Sequence, residues 1–228
     1  MSTPILYHYP LRACSSVTVN ALVETGMEFE DRVIDIRAGE QNTPAYRAIH
    51  PYGTVPALQV DDHVLTENVA ILLYIDSLRP DVLFPATDSA LQRAQYQADL
   101  IWCTASMHPS IRRLRMPIRY TDGDVTGVRE KGLQATTHVF DTLEQRLAAH
   151  PWWYGERWSI VDVYVNWGIM TAASTDLLPM QDYPAIRAHI KRVRSRAVFI
   201  EALERQTQAK ERAGLSFPDE ASWRTDFD

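Results

Sequence analysis

The chain has 228 residues, of which 46% are hydrophobic and 23% are charged, a composition typical of a folded globular protein and not of a disordered one. Its net charge of −6 argues against a nucleic-acid partner, because such binding depends on cations that neutralise phosphates. At about 150 residues per domain, the length allows one large or two small domains.

No apolar run approaches the roughly 18 residues of a membrane span, and the first residues lack the basic and apolar regions of a secretory signal. The two cysteines, Cys14 and Cys103, are too few for a disulfide framework or a cysteine-based zinc cluster. We therefore expect a cytoplasmic protein without nucleic-acid or membrane partners.

Residues 1–78 alternate between strand and helix patterns. The order βαβαββα predicts an α/β sandwich. Ser15 or Ser16 can cap the first helix, and Thr43 before Pro44 starts a short one. The predicted elements are a strand at 5–9, a helix from 15 or 16 to 25, a strand at 29–36, a helix from 43, a hairpin of 55–60 with 63–65, and a helix at 67–77.

Residues 79–88 contain two prolines and are typical of a linker. Residues 89–212 show only helical spacing, with a capping box at Ser159 and Asp162, and predict an all-helical domain. The polar and aromatic segment 213–228 forms a tail that could be disordered or could lie across a groove. The predicted helices span 89–115, 124–149, 159–175, 183–195 and 198–212.

The loop between the first strand and the first helix is a candidate site, because α/β sheets bind ligands beyond the carboxyl ends of their strands. Helix N-terminal amides favour anions there, so a hydroxyl or thiol in Cys14-Ser15-Ser16 could hold a thiolate. The alternative is that Ser15 or Ser16 only caps the helix.

Two further motifs suit a peptide-like ligand. Pro56 cannot donate to a sheet, so its strand is expected at an edge or to depart locally from the sheet. At an edge, the Val55 backbone could pair with an extended ligand. Glu67 and Asn68 begin a helix and could recognise an amino-acid headgroup. The alternatives are an ordinary edge proline and a helix capped by Thr66.

The predicted helix 89–115 carries aromatic, histidine and arginine side chains that could form the wall of a site. His108 alone is more often structural than catalytic. No histidine is paired with a metal ligand four residues away, and no glycine-rich phosphate loop is present, so we expect no metal and no nucleotide.

The order of these motifs resembles the cytosolic glutathione S-transferase family, in bacterial beta-like or theta-like form. The resemblance covers roughly residues 4–205 and rests on segments 7–22, 53–58, 65–71, 158–162, 183–184 and 195–197. It implies a thioredoxin-like first domain with a cis Val55-Pro56 bond, followed by a helical bundle. It also implies a cytoplasmic homodimer that acts in detoxification. The family usually has Ser where this chain has Asn68.

The resemblance implies that glutathione binds to the first domain as a co-substrate and that its sulfur is held as a thiolate. We favour Ser15 over Cys14 for this role, since a cysteine would instead invite a mixed disulfide. Tyr7 matches the N-terminal tyrosine of many classes. The implied glutathione contacts are Arg37, Thr54, Val55, Pro56, Glu67 and Asn68.

The implied reaction adds glutathione to a small hydrophobic electrophile bound against the second domain. The residues expected to contact it are Trp102, Met107, His108, Ile111 and Arg112. Three alternatives stay open: a zeta-like glutathione-dependent isomerase, thiol–disulfide exchange through Cys14, and a non-catalytic glutathione-binding protein. Against the isomerase, the chain has Glu67 where that class has Gln, and Arg12-Ala13 where it has two serines.

Overall fold

The computed structural model describes residues 2–217, which divide into two compact units. The first unit combines residues 2–86 with residues 196–217, and the second comprises residues 87–195. The boundary near residue 86 falls inside the predicted linker. Most of the predicted tail, residues 218–228, lies outside the described residues.

The first unit is built on a four-stranded sheet with the order β2-β1-β3-β4. β1 and β2 are parallel, whereas β3 runs antiparallel to both β1 and β4. The predicted order βαβαββα and the fold class are therefore confirmed. The strands are β1 (Ile5–His8), β2 (Glu30–Val33), β3 (Ala57–Val60) and β4 (His63–Thr66).

Two strand predictions are wrong in detail. β3 lies in the middle of the sheet, and Pro56 precedes its first residue, so the proline needs no edge position. The segment predicted as a buried strand over 29–36 forms a shorter β2 at an edge, where Val33 is only partly buried. An edge strand leaves one side uncovered, which explains the partial burial.

Three helices connect the strands of the first unit: α1 (Ser15–Glu24), α2 (Pro44–Arg47) and α3 (Asn68–Leu78). Thr43 caps α2, since its hydroxyl accepts from the Tyr46 N–H at 3.3 Å. Gly26 follows α1 in the left-handed region, with φ 64°. α1 and α3 pack together, and the core between them and the sheet contains Leu6, Val19, Leu22, Leu58, Ile71 and Ile75.

The last helix, α9 (Ala197–Arg212), belongs to the first unit and not to the helical domain predicted to extend to residue 212. It packs on α1 and β2. Arg196 pairs with both carboxylate oxygens of Glu24, at 2.7 and 3.0 Å. Arg205 lies 3.6 Å from the centre of the Phe29 ring and 3.2 Å from Asp31. These long-range contacts carry no local sequence signal.

The second unit is helical, and within its described residues the only β-structure is two isolated bridges near Tyr154. The predicted helix at 89–115 is interrupted by a π-helical turn, Cys103–Met107. Such turns insert one residue into a helix and are frequent at functional sites. The helices are α4 (Ala90–Trp102), α5 (His108–Arg115), α6 (Thr126–Ala149), α7 (Ile160–Ala173) and α8 (Pro184–Arg194).

The predicted capping box at the start of α7 is confirmed. The buried Asp162 carboxylate accepts from the N–H and hydroxyl of Ser159, both at 2.9 Å, and from the Trp153 N–H at 2.8 Å. It also lies 2.9 Å from His189. Asp162 therefore joins the loop before α7 to α8 through buried polar contacts. In the described part of the chain, no helix is both long and apolar enough to cross a membrane.

Candidate active site

The centre of the candidate site is Cys14, at the N-terminus of α1. Its thiol is partly exposed, and Sγ lies 3.9 Å from the carbonyl oxygen of Val55. Val55 precedes the cis Pro56, as predicted. No acidic residue lies in the first turn of α1, so the helix dipole favours negative charge at this end. This arrangement suits an anion such as a thiolate.

Ser15, the favoured catalytic residue, is placed differently. Its side chain is 0% exposed, and its hydroxyl donates to the Tyr9 carbonyl at 3.2 Å and accepts from the Tyr9 N–H at 3.3 Å. Both hydrogen-bonding functions are therefore used within the loop, and no surface is left for a ligand. The role of Ser15 with the glutathione sulfur stays a prediction, and in this structure its hydroxyl supports the loop.

Asn68 also supports the loop. Its side-chain oxygen accepts from the Thr18 hydroxyl at 2.5 Å, and its Nδ2 donates to the Cys14 carbonyl at 2.9 Å. The side chain is buried, so it is committed to the start of α1 and does not face a glutamyl group. Its backbone N–H remains at the start of α3, where helix amides suit a carboxylate.

Glu67 has an unusual backbone, with φ 69° in a residue other than glycine. Such a conformation costs about 1–3 kcal/mol and concentrates at functional sites. Glu67 is exposed, so its carboxylate is open to a ligand cation, as its predicted role requires. The contact with glutathione itself stays a prediction.

Thr54 is held by neighbours that sequence reasoning missed. Its hydroxyl lies 3.0 Å from Nε2 of His50, and its carbonyl accepts from the Tyr46 hydroxyl at 2.7 Å. Burial lowers the pKa of His50, against an opposing effect of the Glu67 charge. These contacts fix the backbone directly before Val55. The local sequence gives no signal for them, because they depend on α2 packing beneath the loop.

Two other predicted glutathione residues have defined partners. The Tyr7 hydroxyl donates to Gln59 of β3 at 3.0 Å, so the proton that a catalytic tyrosine would offer to a thiolate is already shared. Arg37 is exposed, and Nη1 lies 3.4 Å from the Ser216 carbonyl. Its guanidinium keeps further donors, and its role with the glycyl carboxylate stays a prediction.

The residues predicted to contact an electrophile lie in the second unit, and two of them are in its core. Met107 is 0% and Ile111 is 1% exposed, and both pack against Gly168 of α7. Both side chains belong to the core of the unit, and their contact with an electrophile stays a prediction. Trp102 is partly buried and stacks on Trp153, with ring centres 5.6 Å apart.

His108 and Arg112 form a pair on α5. The imidazole meets the Trp167 ring edge to face at 4.6 Å, and its Nε2 lies 3.3 Å from Nη2 of Arg112. Burial and the Arg112 charge lower the pKa of His108 to about 3. The imidazole is therefore neutral at physiological pH and accepts from the guanidinium. Arg112 is exposed, so it remains available to a ligand of the second unit.

No group of three His, Cys, Asp or Glu side chains in the described chain is arranged to hold a metal. The arrangement instead combines a partly exposed thiol at a helix N-terminus, a partly buried Val55 before the cis proline and a strained acidic residue. These features are suited to a peptide that carries a thiol, an amino group and carboxylates.

Comparison with known proteins agrees with this chemistry. Residues 2–77 match the glutathione S-transferase N-terminal domain, and residues 115–197 match the glutathione S-transferase C-terminal domain. Glutathione S-transferase 3 of Zea mays is 30% identical over 82% of this chain and 85% of its own length. The maleylacetoacetate isomerase of Pseudomonas aeruginosa is 31% identical over 70% of this chain and 77% of its own length.

Solved structures give the same result. A beta-class glutathione S-transferase of Sphingomonas chungbukensis has a TM-score of 0.77 and 26% identity, over 89% of this chain and 98% of that one. A sphingomonad glutathione S-transferase complexed with glutathione has a TM-score of 0.76 and 28% identity over the same shares. The two matched domains and the shared fold define an enzyme of the glutathione S-transferase type. The chain belongs to the glutathione S-transferase family.

Proposed function

We propose that the chain binds glutathione on its first unit, with the sulfur beside Cys14, and transfers it to a small hydrophobic electrophile. The observation that carries the proposal is the contrast between the two neighbouring residues. The Cys14 thiol is partly exposed at the N-terminus of α1, whereas the Ser15 hydroxyl is buried and bonded to Tyr9.

The backbone supplies most of the proposed contacts with glutathione. The Val55 N–H and C=O pair with the cysteinyl part, as an extended ligand pairs with an open backbone. The N-terminal amides of α3 hold the γ-glutamyl carboxylate, and the exposed Glu67 carboxylate holds its ammonium group. The positively charged side chain of Arg37 binds the glycyl carboxylate. The amides of α1 then favour the thiolate, which is the nucleophile that attacks the electrophile.

A second activity, thiol–disulfide exchange, is favoured by the same cysteine. The Cys14 thiolate attacks the glutathione sulfur of a mixed disulfide and releases the other thiol as a thiolate. A second glutathione thiolate attacks the resulting Cys14–glutathione disulfide, which releases Cys14 and forms oxidised glutathione. Electrons balance, because one disulfide is consumed and one is formed.

The test compares Cys14→Ala with Ser15→Ala, and uses Cys103→Ala as a control at a fully buried thiol. Conjugation is measured with a chloronitrobenzene, exchange with a glutathione mixed disulfide, and isomerisation with a cis-enone dicarboxylic acid. We expect Cys14→Ala to reduce exchange by roughly 100-fold or more, since the covalent step is lost, and conjugation by about tenfold.

The Cys103→Ala control should retain both activities, and Ser15→Ala should retain them per folded molecule. If Ser15→Ala abolishes conjugation in folded protein while Cys14→Ala retains both activities, the proposal fails. If the cis-enone is turned over faster than either other substrate, the chain is an isomerase of the kind found among its relatives.

We also propose a cytoplasmic homodimer that acts in detoxification. The support is family membership together with exposed apolar side chains, including Tyr52 at 77% and Leu91 at 82% exposure. An interface between two copies would cover such side chains where they form a contiguous patch. Light scattering should give about twice the single-chain mass of 26.0 kDa, and a stable single-chain mass at micromolar concentration would contradict the dimer.

A further inference from the structure

The loop that presents Cys14 contains a strained residue. Leu11 has φ 66°, in the left-handed region that residues other than glycine rarely adopt. The Arg12 N–H donates to the Pro10 carbonyl at 2.8 Å, which closes a tight turn around Leu11. A conformation of this kind costs roughly 1–3 kcal/mol, so surrounding contacts must hold it. Cys14 follows only three residues later.

One of those contacts comes from the far end of the chain. The Leu11 N–H donates to Oε1 of Gln206 on α9 at 2.9 Å, across 195 positions of sequence. Gln206 is 3% exposed, and its Nε2 donates to the Ala202 carbonyl at 3.2 Å. The second bond fixes which end of the amide faces the loop. Gln206 therefore presents an acceptor to the strained turn.

The segment after α9 packs against the same loop. Phe217 is buried, and its ring meets Tyr9 at 5.5 Å between centres. The Arg12 guanidinium lies 5.1 Å from the centre of the same ring. The residues on either side of Pro10 and Leu11 are thus covered by Phe217, while Gln206 holds the turn itself.

Three side chains hold the backbone of the loop by hydrogen bonds. Ser15 binds the backbone of Tyr9, Asn68 binds the carbonyl of Cys14, and Gln206 binds the N–H of Leu11. The first two are close to the loop in sequence or lie in the predicted motifs. Gln206 is distant in sequence, and its side-chain hydrogen bonds go to Leu11 and Ala202, which are not among the proposed glutathione contacts. Any effect of Gln206 on the reactivity of Cys14 must therefore act through the conformation of the loop.

We propose that Gln206 is a positioning residue for Cys14: by accepting from the strained Leu11 amide, it fixes the turn that sets the thiol at the N-terminus of α1. The inference rests on the proposed role of Cys14. Without the acceptor, Leu11 can relax toward negative φ, and the following residues shift. The thiol then loses part of its alignment with the helix amides, which favour the thiolate.

The experiment measures alkylation of Cys14 by iodoacetamide between pH 5 and 9, without glutathione, with peptide mass spectrometry to separate Cys14 from Cys103. Gln206→Met removes the acceptor with little change of volume. Gln206→Glu, when protonated, retains an acceptor for Leu11 and a donor for Ala202. Gln208→Met makes the same chemical change at an exposed position of the same helix.

We expect Gln206→Met to slow alkylation of Cys14 at pH 7 by about threefold or more, with recovery near pH 9, because the thiolate fraction falls. Gln206→Glu should restore much of the rate below neutral pH, and Gln208→Met should match the original protein. Cys103, fully buried, should stay unreactive in all variants, which shows that the fold is intact.

Unchanged Cys14 profiles in folded Gln206→Met would overturn the inference. So would equal effects of Met and Glu, or a simultaneous gain of Cys103 reactivity, because each indicates a role in the fold alone. The assay needs no glutathione, so it is independent of the proposed function. An original protein without conjugation or exchange activity would end that proposal and leave the Cys14 result standing.

Discussion

The loop around Cys14 and the helical segment from Trp102 to Arg112 differ in how buried side chains build them. In the loop, Ser15 bonds to the N–H and the carbonyl of Tyr9, and Asn68 bonds to the carbonyl of Cys14. In the helical segment, Met107 and Ile111 fill space against α7. Residues predicted to contact ligands thus support the site in both places, by polar bonds in one and by packing in the other.

This difference predicts how well each of the two regions tolerates amino-acid substitutions. A buried hydrogen bond has a fixed partner, and its loss leaves an unsatisfied group that costs about 1–3 kcal/mol. A packed contact depends on volume, and a flexible side chain can move aside for a small cost. The loop should therefore tolerate few substitutions, whereas the helical segment should be strongly destabilised only by substitutions that displace its backbone.

The largest loss of stability is expected for a substitution at Gly132, where α6 lies against the backbone of α5. A Cβ on this residue would lie 2.7 Å from the Arg113 carbonyl carbon and nearer still to the Leu114 nitrogen. Because backbone must move, Gly132→Ala should lower the free energy of unfolding by about 3 kcal/mol or more. Urea denaturation measures this loss.

Gly168→Ala is the matched control for Gly132→Ala. Its Cβ would lie 2.7 Å from the Met107 methyl group and 3.3 Å from Ile111 Cδ1, and the methionine end can shift. We expect a loss of about 1 kcal/mol. Equal losses at the two glycines would mean that the Met107 side chain is as rigid as the α5 backbone. The claim that packed side chains in the helical segment move aside at small cost would then be wrong.

The second effect concerns Ser15 and its neighbour. Ser15→Ala leaves the buried Tyr9 N–H and carbonyl without their partner, so the free energy of unfolding should fall by about 2 kcal/mol. Ser16 is the matched control, since its buried hydroxyl has no hydrogen-bond partner within the described chain. Ser16→Ala should be neutral or slightly stabilising. A neutral Ser15→Ala would show that Ser15 does not support the loop.

Much of the fold follows from local patterns in the sequence. Thr43 before Pro44, the hairpin spacing and the Ser159–Asp162 box each predict an element that the structure contains. These signals work because caps and turns depend on residues only two or three positions apart. The position of α9 does not follow in this way, since it depends on pairs such as Arg196 with Glu24, far apart in sequence.

The sequence predicts a site in the loop between β1 and α1, and the structure places the neighbouring Cys14 and Ser15 side chains in different surroundings. Consecutive residues of a helix point about 100° apart, so the side chains of Cys14 and Ser15 point in different directions. Which of them faces inward depends on how α1 rests on Tyr9, and that is a tertiary property. The α9 contact from Gln206 was missed for the same reason, although the aromatic tail residue Phe217 was a visible signal.

The third effect tests the amide of Asn68. Asn68→Ser, which introduces the usual residue of the family, is too short to span from α3 to both Thr18 and the Cys14 carbonyl. We expect a loss of about 1–2 kcal/mol in the free energy of unfolding. In a double-mutant cycle, Thr18→Val should be less costly in Asn68→Ser than in the original protein. Additive losses would mean that the two side chains are not coupled.

The smallest effect is a pH dependence in the helical segment. Burial and Arg112 lower the pKa of His108 from 6.5 to about 3, so between these values the unfolded chain binds a proton that the folded chain does not. Stability is therefore complete above pH 6.5 and falls as the pH decreases. From pH 6.5 to 5.5, linkage gives a loss of about 1 kcal/mol from this residue.

His108→Phe isolates that contribution, because phenylalanine keeps an aromatic ring against Trp167 and does not titrate. Between pH 6.5 and 5.5, the original protein should lose about 1 kcal/mol more of its free energy of unfolding than the variant. All other titrating groups act in both proteins and cancel in the difference. Identical pH slopes would mean that the pKa of His108 is the same in the folded and the unfolded protein. His108 would then become positively charged beside the Arg112 guanidinium as the pH falls, and the two groups would repel each other. The helical segment would not stay neutral there.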